Sequence, residues 1–175
     1  MPQRGQRRGQ EALEIEVVVE IPKGSRNKYE VHHDTGAIWL DRMLFTATLY
    51  PADYGFVPNT LAEDGDPLDV LVLLDEPTFP ACHIMVRPVG LFRMEDEKGV
   101  DSKVLCVPAT DPRWSEVVDL SGVPEHLLNE IAHFFDVYKQ LEPSTHTDIQ
   151  GWQDAAAGRA EVVRARKAYE ARRPG

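Results

Sequence analysis

From Glu14 to Ile21 apolar and polar residues alternate, with Ile15, Val17, Val19 and Ile21 on one side and Glu14, Glu16 and Glu20 on the other. A period of two with one apolar side predicts a strand with a single buried face. After Pro22-Lys23-Gly24, the segments Lys28–His33 and Ile38–Leu40 flank Asp34-Thr35-Gly36, which predicts a hairpin with a Gly-containing loop. Residues 41–58 show no clean period and read as irregular structure rich in aromatic and charged side chains, where sites often lie. The unbroken apolar run Val70–Leu74 then predicts a fully buried strand.

Further along, Ile84–Met94 predicts a strand interrupted by Pro88 and Gly90, and the polar stretch Glu95–Lys103 reads as a turn before a short strand, Val104–Val107. Leu127, Ile131, Phe134, Tyr138 and Leu141 recur at spacings of 4, 3, 4 and 3, with Pro124 near the start and Pro143 as a stop. That pattern predicts a helix with one packed face. A second helix starts at the potential cap Asp154 and runs through Val162, Val163 and Tyr169 to an arginine-rich end, where cations favour the helix dipole. Several short strands before two terminal helices predict a mainly β protein with flanking helices, an α+β arrangement built on a small barrel or strongly curved sheet.

Composition limits the partners. A chain of 175 residues, 42% hydrophobic, supports one domain, taken as residues 13–175. Its net charge is -10, and Arg4, Arg7 and Arg8, with no acid among the first ten residues, leave -13 for the remainder. Such an acidic body disfavours nucleic acid and suits a carrier of divalent cations. Residues 1–12 form a basic tip expected to be disordered. No segment approaches the roughly 20 apolar residues that span a bilayer, and no apolar segment follows the N-terminal arginines as a signal peptide requires. Cys82 and Cys106 lie far apart among apolar neighbours and read as buried thiols of a reducing cytoplasm.

The candidate chemistry centres on Asp64, Asp66 and Asp69, three acids within six residues at the mouth of the Val70–Leu74 strand. Gly65 permits unusual backbone angles and Pro67 fixes one, so the loop can aim them together. Carboxylates that close repel unless a cation lies between them, and oxygen donors without Cys or His suit Mg2+, with Mn2+ as a substitute. The plain alternative is an exposed acidic turn. A calcium loop counted from Asp64 fails, because Asp69 stands where glycine is required and Leu68, Val70 and Val72 stand where ligands belong. Asp96 and Asp101 form a second acidic group, and Glu20 is a further candidate. Against these acids stand Lys28, Arg42, Tyr54, Lys103, Tyr138 and Lys139, a set suited to anionic oxygens; together the two sets describe a site for a highly charged phosphate. His126 and His133 read as structural or surface residues, and His32 and His33 as structural strand histidines, with a place near the metals as the alternative.

The segment Asp64-Gly65-Asp66-Pro67-Leu68-Asp69-Val70 resembles the short signature of the soluble family I inorganic pyrophosphatases. Glu20-Ile21-Pro22, Lys28-Tyr29-Glu30, Asp41-Arg42, Tyr50-Pro51, Tyr54-Gly55, Arg87-Pro88-Val89-Gly90, Asp96-Glu97, Asp101, Lys103, His133-Phe134-Phe135 and Tyr138-Lys139 follow in that family's order. The resemblance runs from about Ile15 to the last helix. It implies an OB-like five-stranded barrel with two C-terminal helices, a cytoplasmic homohexamer, and magnesium-dependent hydrolysis of inorganic diphosphate to two orthophosphates by a water shared between metals. It also implies roles: Asp64, Asp69 and Asp101 as ligands of the activating metals, Asp96 and Glu20 as ligands of ions that arrive with substrate, and Asp66 or Asp101 as proton acceptor. Lys28, Arg42, Tyr54, Lys103, Tyr138 and Lys139 match the positions that hold phosphate oxygens. One departure stands out: the linker from Glu142 to Ile149 has no lysine, where relatives often have several before the Gly-Trp seen here as Gly151-Trp152. The rival readings are another metal-dependent phosphohydrolase, which wants an apolar pocket for an organic group, and a non-catalytic OB-like binding module.

Overall fold

The computed structural model describes residues 12–173. Among the described residues eight strands are formed: β1 (Ile15–Ile21), β2 (Asn27–Val31), β3 (Ile38–Met43), β4 (Asp53–Phe56), β5 (Asp69–Val72), β6 (His83–Asp96), β7 (Gly99–Pro108) and β8 (Thr147–Gln153). Two α-helices accompany them, α1 (Glu125–Val137) and α2 (Ala155–Arg172). The main sheet runs β1-β4-β5-β7-β6-β8, and β1 also pairs with β6. Five strands therefore close into a barrel, with β8 added outside it on β6. All neighbours in this sheet are antiparallel except β5 and β7. The predicted hairpin is β2 and β3, a separate two-stranded ladder.

The apolar run in β5 is buried on both faces because successive side chains serve two cores. Leu71 and Leu73 join Leu105, Val107, Phe134 and Phe135 in a cluster packed by α1. Val70 and Val72 join Val104, Cys106, Val162 and Ala165 in a cluster packed by α2. Helix α2 approaches β6 through two glycines: a Cβ on Gly158 would lie 2.7 Å from the Gly90 carbonyl oxygen. The same part of β6 absorbs Pro88, which has no amide to donate, through a register shift between Pro88 and Gly90, so the strand continues as one element of 14 residues. Asp154 caps α2 as expected, its side chain accepting from the Ala157 amide.

Several local expectations need correction. Helix α1 ends at Val137, and the Gln140 amide donates to the Val137 carbonyl, so the last turn tightens and Leu141 swings away to 69% exposure. The stretch 95–103 is mostly strand: β6 runs to Asp96 and β7 starts at Gly99, whose φ of 109° permits the tight reversal through Glu97 and Lys98. Asp96, Glu97, Lys98, Asp101 and Lys103 line a cleft, and this polar lining is why the pattern reads as a loop. Strand β8 lies where only a linker was expected. Its polar alternation hides a strand whose Ile149 and Trp152 pack on the core. In the irregular stretch, β4 begins at the fully buried Asp53, whose carboxylate accepts from the Lys23 amide at 2.8 Å, the Thr78 amide at 3.0 Å and the Thr78 hydroxyl. Cys106 is buried, whereas Cys82 is only half-buried, following a connection that turns through Ala81 at φ 71°. Residues 1–11 of the expected basic tip lie outside the described residues.

Candidate active site

An open cleft of ≈ 1030 Å³ is lined by all the residues singled out from the sequence for metal, substrate or proton transfer. The barrel explains how residues far apart in sequence meet there. Parallel pairing of β5 and β7 sets Asp69 opposite Lys103, and antiparallel pairing of β4 and β5 sets Tyr54 opposite Leu71. The Tyr54 hydroxyl donates to Asp69 Oδ2 at 2.6 Å. Lys103 Nζ, 1% exposed, lies 2.9 Å from the Tyr54 hydroxyl, 3.1 Å from Asp69 Oδ2 and 2.9 Å from each oxygen of Asp101. Burial alone depresses the Lys103 ammonium, but Asp101 and Asp69 outweigh it and hold the group above the ordinary lysine range. Burial likewise raises the Tyr54 phenol, and the charges of Asp69 and Asp101 add to the rise.

The remaining acids stand around this buried knot. Glu20, at the end of β1, accepts from the Val31 amide at 3.0 Å and so ties the barrel to the β2–β3 hairpin. Burial pushes its carboxyl up to about 7, with the Val31 amide opposing and the Asp69 charge adding to the rise. Asp64 and Asp66 occupy the loop before β5, where Gly65 has φ 90° and the Asp66 amide donates to Asp64 Oδ1 at 3.0 Å. Burial raises Asp64 against the pull of the Asp66 amide, and the charges of Asp101 and Asp66 add to the rise. Burial also raises Asp101, against the pull of Lys103. Asp96 behaves differently: burial favours its neutral form, but the Lys98 amide at 2.9 Å and Lys139 Nζ at 3.1 Å hold it below the usual carboxylate range.

Several residues of this cleft had escaped sequence reasoning. Lys28 Nζ donates to Glu30 at 2.7 Å and to Asp41 at 3.0 Å, Lys139 also reaches Glu97 at 3.2 Å, and Arg42 is held by Asp41 and Glu142. Glu30 stands two positions from Lys28 on one strand and Asp41 beside Arg42, so local spacing could have found both. Glu142, 100 residues from Arg42, left no such signal. His32 and His33 line the cleft, with the His33 ring edge-on to Phe56 at 5.0 Å. Trp39 and Phe45 edge the same cleft and are exposed.

Among the described residues, no three acidic, imidazole or thiol side chains already converge as a metal cage. The Lys103 ammonium sits between Asp69 and Asp101 instead, in the kind of place a cation would take. The donor set still fits a hard divalent ion: it is all carboxylate, and Glu20, Asp64 and Asp101 are raised first by burial and further by the charges of neighbouring carboxylates, both of which a bound cation would offset.

Residues 17–170 match the family model described as inorganic pyrophosphatase. The chain is 57% identical over 158 residues to the inorganic pyrophosphatase of Streptomyces coelicolor, covering 90% of this chain and 97% of that protein. The chain belongs to the inorganic pyrophosphatase family. An inorganic pyrophosphatase of Leifsonia xyli is 60% identical over 141 residues, 81% of this chain and 86% of its own. Among solved structures, the inorganic pyrophosphatase of Thermus thermophilus superposes with a TM-score of 0.88 at 48% identity, covering 93% of this chain and 95% of that one. That of Helicobacter pylori gives 0.89 at 40% identity, over 95% and 99% of the two chains. The OB-like five-stranded barrel of this family is thus the fold adopted here, with β8 and the β2–β3 hairpin added around it. Among the described residues, no helix is long and apolar enough to cross a membrane.

Proposed function

We propose that this chain hydrolyses inorganic diphosphate to two orthophosphates with Mg2+, and that Mn2+ can substitute. The observation that supports the reading most is the meeting of Glu20, Asp64, Asp66, Asp69, Asp96 and Asp101 with Lys28, Arg42, Tyr54, Lys103, Tyr138 and Lys139 in one cleft. Glu20, Asp64, Asp69, Asp96 and Asp101 would hold the divalent ions. When bound, such ions supply positive charge against the diphosphate and acidify water.

The chain's own residues account for the rest. Lys28, Arg42, Tyr54, Lys103, Tyr138 and Lys139 grip phosphoryl oxygens, and most of the catalysis is positioning and electrostatics. A water oxygen attacks one phosphorus, the bridging P–O bond breaks, and the electron pair leaves with the departing orthophosphate. The water's proton goes to a carboxylate. Asp66 suits this role better than Asp101, because Asp66 is exposed to the cleft, whereas both oxygens of Asp101 are engaged by Lys103.

The same reading takes residues 13–175 as one catalytic domain and residues 1–12 as an extension outside the chemistry, acting in the cytoplasm as a homohexamer. Family membership supports the assembly, and light scattering at working concentration tests it. The activity itself is tested by orthophosphate release from inorganic diphosphate with and without Mg2+, with ATP as a competing substrate. Rapid magnesium-dependent release from diphosphate and little from ATP is the expected result. Preference for ATP would turn attention to Trp39 and Phe45 as a platform for a base, and no release from folded, magnesium-loaded protein would leave a binding module.

A further inference from the structure

The guanidinium of Arg42 is already held on two sides. Its Nε and Nη2 donate to the two oxygens of Glu142, the second at 3.2 Å, and its Nη1 donates to Asp41. A guanidinium carries five N–H groups in one plane. Three are used by these carboxylates, so one remains on each terminal nitrogen. Two N–H groups so placed match two oxygens of a single phosphoryl group.

Glu142 is well built for holding. Its side chain is only 8% exposed, and the loop that carries it is pinned at both ends. The Glu142 amide donates to the Lys139 carbonyl at 2.9 Å, while the Thr145 hydroxyl reaches the Lys139 carbonyl at 2.8 Å and the Glu142 carbonyl at 3.1 Å. Pro143 and Ser144, the latter at φ 60°, complete a rigid reversal. Asp41 is shared with Lys28, whereas the Glu142 carboxylate makes its hydrogen bonds to Arg42 alone among the described residues.

We propose that Glu142 is the positioning residue for Arg42: it fixes the guanidinium so that its free end faces a phosphoryl group, and touches no substrate itself. The proposal rests on the reading of Arg42 as a phosphate holder. Fixing a long, rotamer-rich side chain before binding lowers the entropy lost when substrate arrives, so the benefit lies in binding and not in the chemical step.

The test is steady-state kinetics with magnesium diphosphate on Glu142→Ala, Glu142→Gln, Arg42→Ala and the double variant Arg42→Ala/Glu142→Ala. Glu142→Ala is expected to raise KM about tenfold with kcat changed less than about twofold. Glu142→Gln keeps one oxygen acceptor and recovers part of that loss. In the Arg42→Ala background, Glu142→Ala has no further effect, because it acts through the missing guanidinium. A KM that stays unchanged or falls in Glu142→Ala, or effects that add in the double variant, overturns the proposal. An unchanged KM and kcat in Arg42→Ala alone sinks the phosphate-holder reading, and the proposal with it. If Glu142→Ala does not fold, Glu142→Gln with and without Arg42→Ala supplies the same comparison, since the amide preserves shape and volume.

Discussion

Lys103 Nζ sits 2.9 Å from both oxygens of Asp101, two residues earlier on the same strand. Side chains two apart on a strand share a face, so the pair is dictated by β7 itself. Asp69 and Tyr54 join it from β5 and β4. The result is a buried cation whose charge is balanced by Asp69 and Asp101, with the Tyr54 hydroxyl and the Tyr54 and Phe135 rings also against it.

Replacing Lys103 by Met therefore leaves Asp69 and Asp101 crowded without positive charge. Breaking such a buried arrangement costs about 3–5 kcal/mol. Thermal unfolding of Lys103→Met should show that loss in metal-free protein, and added Mg2+ should recover more stability in the variant than in the parent. An equal decrement with and without Mg2+ would mean that the ammonium and the divalent ion do not serve the same carboxylates.

Gly55 marks how tightly β1 and β4 are pressed together beside the site. A Cβ there would lie 2.0 Å from the Val18 carbonyl oxygen and 2.9 Å from the Val19 Cα, both main-chain atoms that cannot swing aside. Gly55→Ala should cost about 3 kcal/mol or more through forced strand separation, read as a lower urea midpoint. Because Tyr54 is its neighbour, turnover should fall with it. A variant as stable as the parent would show that the two strands have slack.

How much of this was legible depends on whether the signal was local. The Ile15–Ile21 alternation announced itself because a buried side leaves a period of two, and the β5 run because burial on both faces leaves an unbroken apolar stretch. The acids before β5 were legible because one loop carries them. Strand β8 was not, since its outward residues Asp148, Gln150 and Gln153 mask a strand that gains its order from pairing with β6. Leu141 kept the helical spacing yet lay one turn past the end of the helix. Glu142 could not be found at all: its partner is chosen by the return of the chain after α1, and nothing in the order of residues records that meeting.

Asp119 gives the fold an acid-sensitive joint. Its Oδ1 accepts from the Leu120 amide at 2.8 Å and the Ala155 amide at 2.9 Å, fastening the start of α2 to the segment before α1. These amides hold its carboxyl below the usual range. A depressed folded pKa means that the stabilisation is complete above the unfolded value of about 3.9 and is lost as pH falls through the lower folded value. Asp119→Ala should cost about 1 kcal/mol near neutral pH, and the gap between parent and variant should close on acidification below that window. A gap independent of pH would assign the loss to something other than the carboxylate.

Asp69 offers the sharpest separation of chemistry from folding. Its Oδ2 accepts from the Tyr54 hydroxyl at 2.6 Å and from Lys103 at 3.1 Å, and Lys103 retains both oxygens of Asp101 if Asp69 is neutralised. Asp69→Asn keeps the shape and one oxygen acceptor for Tyr54 while removing the charge. The fold should therefore survive, with urea unfolding changed by about 1 kcal/mol or less. If Asp69 is a ligand of the activating ions, kcat for magnesium diphosphate should drop at least about a hundredfold, since the ions and the phosphoryl oxygens lose a fixed counter-charge in a largely buried place. Calorimetric titration with Mg2+ alone should show weakened binding in the same variant. Full activity with unchanged Mg2+ affinity would remove Asp69 from the ligand set, and lost activity with intact Mg2+ binding would instead place its role in orienting Tyr54 and Lys103.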